Sequence, residues 1–453
     1  MENITESVSL FISGTGYGKI PEDVCESCKW HILDTLGCML AGSQEKAAKI
    51  VKDYVTDFCG GTDSSVIPGG PKTSPQYAAL ANAVSGHALD FDDYEWPSMA
   101  HSSVTVLPGV LALGEMLGAS GKACLEAYLV GMEVISKIGI GINPNHYEKG
   151  WHSTCTIGTL GAASACSKLL KLTPEEIRMA IGMAASMSGG LRENFGTMTK
   201  PFHAGQAARG GVEAGLLVSR GFTADKNILE ANLGYCNMFT ENQDYDLKKI
   251  TSNLGSPFSI ISPGLGKKLY PSCAATHSTL DAIFYLIDQY DIHWADVDEV
   301  ACGIFYLYPK MLIHTNPRTG LEGKFSLEFC VALALKERNV GLSQFTDSKV
   351  GEPEIQELIK RVRRSVTEEV GGRGTQYPGA TVTVTLKDGT GYHHHVKKRK
   401  GSPVNPLVKD EIIDKFMDCA RMIHSKDHAD RIADTVMGME HLNDIGTLVK
   451  LLS

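Results

Sequence analysis

Across the first 250 residues the hydrophobic positions recur every third or fourth place, the spacing of helices that bury one face. Val24, Cys28, Ile32 and Leu36 form one such stripe. Pro21 stands ahead of it, at a first turn where its missing N–H costs nothing, and a helix is predicted to about Ala41. The same reading predicts a helix opening at Pro75 through QYAALANAVSGHALD, and others over 104–117, 123–138, 157–170, 174–186 and 206–219. Several are rich in Ala, Gly and Ser, so their axes can approach closely and the expected core is helix on helix.

After Gly264 the pattern changes. Residues 297–308 (VDEVACGIFYLY) alternate imperfectly and are rich in β-formers, while 380–386 (ATVTVTL) alternate strictly. KDGTG then turns into 392–396, the signature of a hairpin. Helical stretches lie between, at 327–338 and 352–362, and beyond Pro403 and Pro406 the chain returns to helix. The fold class expected is therefore mainly α: a large all-helical domain from 1–263 and 402–453, with a smaller α+β lid domain, 264–401, inserted in it.

Composition narrows the function. A chain of 453 residues with 43% hydrophobic and 21% charged residues is ordinary for a globular protein, and a net charge of -9 argues against nucleic acid as a partner. The longest apolar run, 104–113, is broken by Pro108 and falls short of the roughly 20 residues a bilayer needs. MENITESV has no cationic n-region, so a cytoplasmic protein with no membrane contact is expected. The twelve cysteines are scattered, which fits reduced thiols. Cys25-x-x-Cys28 falls on a helical stripe and has no second pair to complete a metal site. Gly14-Thr15-Gly16-Tyr17-Gly18 does not match G-x-G-x-x-G. In His393-His394-His395, neighbouring strand side chains point to opposite faces and a basic run follows, so metal binding is not expected there.

Four segments join titratable groups to glycines or prolines. In GHALDFDDYEWPSMAH, Asp90, Asp92 and Asp93 follow a helix end and precede His101; a carboxylate there can orient a nearby histidine or lysine, with His101 as acid or base. In GWHSTCTIGTLGAA, His152 stands just before a helix whose first N–H groups suit a carboxylate. In NFGTMTKPFHAGQAARGG, Lys200 and His203 precede the predicted helix 206–219, where two cations at the positive dipole end call for an anion. In GLGKKLYPSCAATHS, Lys268 and Tyr270 lie at the junction into the α+β unit.

Taken together these segments resemble the MmgE/PrpD family. KIPEDVCESCKWHILDTLGCMLAG, GHALDFDD, GWHSTCTIGTLGAA, TMTKPFHAGQAARGGVEAGLL, KLYPSCAATHS and GKFSLEFCVALAL stand in the family's order and span nearly the whole chain. The resemblance implies a homodimer that needs neither metal nor cofactor and takes a small polycarboxylate. By motif position the family's catalytic residues fall on Asp90, His101, His152, Lys200 and Lys268. Tyr94 stands where some members carry Thr, and His203, Tyr270, Lys324 and Ser326 are further substrate-binding candidates. Lys200, Lys268 and His152 would hold carboxylates, with imidazolium charge assisting, while His101, oriented by Asp90, moves a proton.

The reaction implied is a cofactor-independent lyase step, dehydration or decarboxylation, on a di- or tricarboxylate of the citrate or aconitate kind. Epimerisation of an iminodisuccinate-like dicarboxylate is the alternative. His101 is followed by Ser102-Ser103-Val104 instead of the Pro-Ser-Asp-Asn of methylcitrate-type dehydratases, and EWPSMAH is spaced unlike the decarboxylase pattern. The motifs thus single out neither lyase.

Overall fold

The computed structural model describes residues 3–453. They divide into two compact units. The first runs from the start of the chain to Glu193 and takes in Lys200–Leu265 and Val408–Ser453; the second is Asn194–Thr199 with Gly266–Leu407.

The first unit is built of helices, and the predicted stripes become Glu22–Gly42, Pro75–His87, Ser102–Leu117, Gly121–Ile142, Ser153–Leu169 and Pro174–Met187. Ile4–Gly14 and Lys46–Phe58 are helices that the hydrophobic pattern did not single out. The small residues act as expected. A methyl group on Gly161 would stand 2.8 Å from the Gly131 carbonyl oxygen, and one on Gly131 would stand 2.9 Å from that of Gly161. Two long helices therefore cross with their backbones in contact. Cys25 and Cys28 are buried free thiols on one helix, and burial pushes the Cys28 thiol up.

One boundary differs in a way that matters. The helix expected from residue 206 is Thr199–Val218, so Lys200 and His203 lie in its first turns and not ahead of it. Pro201 is compatible with this, because a first-turn N–H has no intrahelical partner to lose. The chain after Pro406 returns as Lys409–Ala420, Lys426–Met437 and Gly446–Leu452. Among the described residues no helix is long and apolar enough to cross a membrane.

The second unit holds a four-stranded mixed sheet, in the order Val362–Val366, Val297–Ile304, Ala380–Leu386 and Gly391–Val396. The first two strands run parallel and the remaining pairs antiparallel, with Val382 opposite His394. The hairpin falls where the alternation placed it. The strand predicted over 297–308 stops at Ile304, before the single turn Tyr308–Lys310, and the helix predicted over 352–362 closes at Ile359 before Val362 opens a strand. His394 stacks on Tyr285 with ring centroids 3.7 Å apart, while His393 meets Thr383 at 2.9 Å. Asn194–Thr199 is tied to this unit by His314 Nε2, 2.8 Å from the Phe195 carbonyl, and by Phe195 packed 5.2 Å from Phe325.

Candidate active site

Within the first unit, three helix starts and one helix end bring a set of charged side chains together. His101 and His152 are the N-cap residues of Ser102–Leu117 and Ser153–Leu169; both have extended backbones, and neither imidazole caps its own helix. The two starts adjoin, since the His101 N–H donates to Thr154 Oγ1 at 3.1 Å. Lys200 and His203 come from the start of Thr199–Val218, and His87 ends Pro75–His87. Asp90 follows in a left-handed turn, with φ of 53°.

Lys200 is the hub. Its Nζ donates to Asp90 Oδ1 at 2.8 Å and to His87 Nε2 at 2.7 Å. An ammonium can only donate, so His87 accepts at Nε2 and carries its proton on Nδ1. That N–H points at Asp92, 2.9 Å from Oδ1. Burial first, with Lys200 and His101 adding to it against Asp92, holds His87 down to about 3, so it is neutral at physiological pH. Burial opposes ionisation of Asp92, yet His87 and His101 hold its carboxyl well below the usual range.

His101 is fixed the same way. Its Nδ1 lies 2.9 Å from the Asp93 carbonyl, which can only accept, so Nδ1 keeps its proton and Nε2 is the atom left to exchange one. Asp92 Oδ2 reinforces this at 3.3 Å from Nδ1. Asp90, the expected orienter, is 3.8 Å from His101 Nε2 and closer to Lys200. Orientation of His101 thus comes from Asp92 and the Asp93 backbone, because the left-handed turn aims Asp90 at the ammonium.

His152 and His203 meet Nδ1 to Nδ1 at 3.0 Å, one donating and one accepting. Burial, reinforced by Lys200 and neighbouring imidazoles, keeps His152 well below its ordinary value; burial and Lys200 bring His203 down to about 4. Burial thus disfavours the imidazolium charge expected here, and the two rings meet as a hydrogen-bonded pair. Gly190 seats the pair: its carbonyl accepts from His152 N at 3.0 Å. At φ of 97°, any Cβ on Gly190 would stand 2.8 Å from Cys155 Cβ and 3.3 Å from the His203 ring.

Within the first unit, the cationic wall read from the sequence comprises the Lys200 ammonium and three helix N-termini, a setting that favours carboxylate groups. The anion that Lys200 calls for is supplied first by Asp90. His87, Asp90, Asp92 and His101 each offer a donor within 4.8 Å of the others, a spacing that suits a divalent cation. Lys200 Nζ already stands against two of those donors, so the cluster is arranged around an ammonium.

Sequence reasoning missed His87 and passed over Asp92. The signal was there in GHALDFDD: His87 closes a helix of small residues and reaches Asp92 five places on, across the helix end. Tyr94 is buried in the same loop. The remaining candidates belong to the second unit. Lys268 is buried there; Lys324 Nζ donates to the Pro271 carbonyl at 3.0 Å; Tyr270 donates to Asp281 Oδ1 at 3.0 Å. Ser326 caps Leu327–Glu337 by accepting from Phe329 N at 3.2 Å.

Glu95 makes the loop sensitive to pH. It is buried at a bridge to Ala100, with Ser98 Oγ donating to Oε2 at 2.6 Å. Burial outweighs Ser136 and Ser98, and pushes its carboxyl from 4.5 up to about 7. Between those values the folded state holds a proton that the unfolded state has lost, so stability falls as pH rises through the window. At about 1.4 kcal/mol per pH unit, this amounts to about 3 kcal/mol. Glu95→Gln is expected to melt above the wild type by a margin that widens from pH 5 to 7 and is constant beyond. Thermal melts across that range check it, and parallel curves would refute it.

A mainly helical protein that gathers a carboxylate–imidazole–ammonium cluster at converging helix starts is the class that fold and site define. The chain matches the MmgE/PrpD N-terminal domain over residues 6–248 and the MmgE/PrpD C-terminal domain over 270–441, and it belongs to the MmgE/PrpD family. Among its relatives, a cis-aconitate decarboxylase of Aspergillus terreus is 29% identical over 472 residues, 99% of this chain and 96% of its own length. The cis-aconitate decarboxylase of Homo sapiens is 28% identical over 463 residues, 100% of this chain and 95% of its own. That of Mus musculus is 28% identical over 466 residues, 100% and 94%. These relatives are lyases, the enzyme class expected from the motifs.

Proposed function

We propose that the chain is a lyase that removes CO₂ from cis-aconitate or a closely similar tricarboxylate, without metal or cofactor. The observation that carries this reading is the Lys200 ammonium, held by Asp90 and the Asp92–His87 pair beside the exchangeable Nε2 of His101. The decarboxylase relatives favour this lyase over a dehydratase.

Loss of CO₂ breaks one C–C bond and leaves its electron pair on the remaining carbon skeleton. An adjacent double bond passes that pair toward a second carboxylate, where negative charge grows. Lys200 and the N–H groups of the helix starts stabilise the charge more in the transition state than in the ground state. The neutral His152–His203 pair adds hydrogen bonds without competing charge. His101 delivers a proton from Nε2 to carbon and regains one from solvent.

The test follows cis-aconitate with purified protein by proton NMR in D₂O and by CO₂ release. Stoichiometric CO₂, with one deuterium fixed in the product, is the expected result. Water loss or gain without CO₂ points to dehydratase chemistry. With iminodisuccinate, deuterium exchange into otherwise unchanged substrate points to the epimerase alternative.

A further inference from the structure

Outside this cluster, one buried cation touches the loop that carries it. Lys415 lies on Lys409–Ala420, near the far end of the chain, and is buried. Its Nζ donates to the Phe91 carbonyl at 2.7 Å, stands 2.7 Å from Asp34 Oδ1 and lies 3.9 Å from the centre of the Phe91 ring. Phe91 sits between Asp90 and Asp92, the carboxylates that hold Lys200 and His87. One turn before Asp34 on Glu22–Gly42, His31 Nδ1 meets Asp93 Oδ2 at 2.9 Å. Phe91 and Asp93, two places apart in the loop, are thus both gripped: Phe91 through its backbone by Lys415, which Asp34 holds, and Asp93 through its side chain by His31.

The segment needs such a grip. It has left the helix at His87, and Asp90 is in the left-handed region that non-glycine residues seldom occupy. A buried ammonium is costly to desolvate, and an apolar pair would join the two helices as well. What the ammonium adds is a donor for the Phe91 carbonyl, with Asp34 holding that donor in place.

We propose that Lys415, held by Asp34, is a positioning residue for the reaction, fixing the Phe91 backbone so that Asp90 and Asp92 meet Lys200 and His87. This rests on the reading of those four residues as the working site. A displacement of about 1 Å in such a group lowers turnover by about 100-fold.

The test compares CO₂ release from cis-aconitate by Lys415→Met, Asp90→Asn and the double variant, with folding checked by circular dichroism. Lys415→Met is expected to lose about 10–100-fold in kcat with KM little changed. In the double variant, kcat should fall by less than the product of the two single losses, since Lys415→Met acts in part through the Asp90 contact. Unchanged kcat in folded Lys415→Met, or losses that multiply, overturns the proposal. If Lys415→Met does not fold, Asp34→Asn/Lys415→Met leaves no unpaired buried charge and carries the same comparison. If neither folds, the pair only stabilises the fold and the proposal is overturned. Loss of turnover in Lys200→Met with Lys415→Met fully active sinks this inference alone. A wild type inert on cis-aconitate sinks the reading of the function instead.

Discussion

Lys200→Met is expected to lower kcat on the order of 10³-fold, the scale seen when one preorganised donor to developing negative charge is removed. The substitution keeps much of the side chain's length and removes the charge. His87 Nε2 and Asp90 Oδ1 then lose the ammonium that both now meet within 2.8 Å. Because the interaction is strongest when charge has developed, the loss should fall on kcat more than on KM. Stability should fall too, by about 3–5 kcal/mol, since a buried carboxylate loses its cation. Lys200→Arg separates charge from geometry. It keeps the cation, but a planar fork cannot offer Asp90 and His87 two bonds from a single atom. A loss of more than about tenfold is expected there. Steady-state kinetics on cis-aconitate, with melts of the same samples, decide the matter. A Lys200→Met enzyme that is folded and retains a tenth of wild-type kcat would remove Lys200 from the centre of the mechanism.

Most of the helical frame was legible because burial of one face imposes a period that the residues carry openly. Val24, Cys28, Ile32 and Leu36 are all buried on one helix, as their spacing demands. The hairpin was legible for the same reason at period two. Lys46–Phe58 was less so: it exposes Ile50, Tyr54 and Phe58 while burying Ala47, Ala48 and Val55, so apolar residues line two faces. Candidate residues were legible where helix starts coincide with titratable groups, as at His152 and Lys200. The partnerships were not legible, because they depend on turns that periodicity does not describe. Asp90 turns left-handed and meets Lys200, which frees Asp92 for His87 and His101. Protonation states were hidden as well. Residues 152 and 203 read as added positive charge in the sequence, and burial makes them a neutral pair.

Gly211→Ala, a change of one methyl group well away from the cluster, is expected to damage both stability and turnover. The added Cβ would stand 2.4 Å from Ala162 Cβ, 2.5 Å from the Ala162 carbonyl carbon and 2.6 Å from Ala163 N. Two of those atoms are backbone of Ser153–Leu169, so no side-chain rotation relieves the clash and the two helices must separate. Alanine favours a helix over glycine by about 1 kcal/mol. Overpacking between backbones costs about 1–3 kcal/mol or more, so the net change is destabilising. Gly211 is eleven residues beyond Lys200 on a helix rising about 1.5 Å per residue, so the disturbance starts about 16 Å from the cluster. The same helix also touches Pro75–His87, where a methyl on Gly205 would stand 2.9 Å from the Leu80 carbonyl oxygen. Pinned there, Thr199–Val218 can relieve Gly211 only by tilting, which moves His203 against His152. Their 3.0 Å contact is the one to suffer first. A fall of several degrees in Tm and about 10–100-fold in kcat is expected. Gly16→Ala is the matched control, with φ of -124° and nothing within 4 Å of the new methyl, and it should leave both unchanged. Equal melts and equal turnover for the two variants would mean that close helix approach does not set the site's geometry. Unequal melts with equal turnover would confine the glycine to folding.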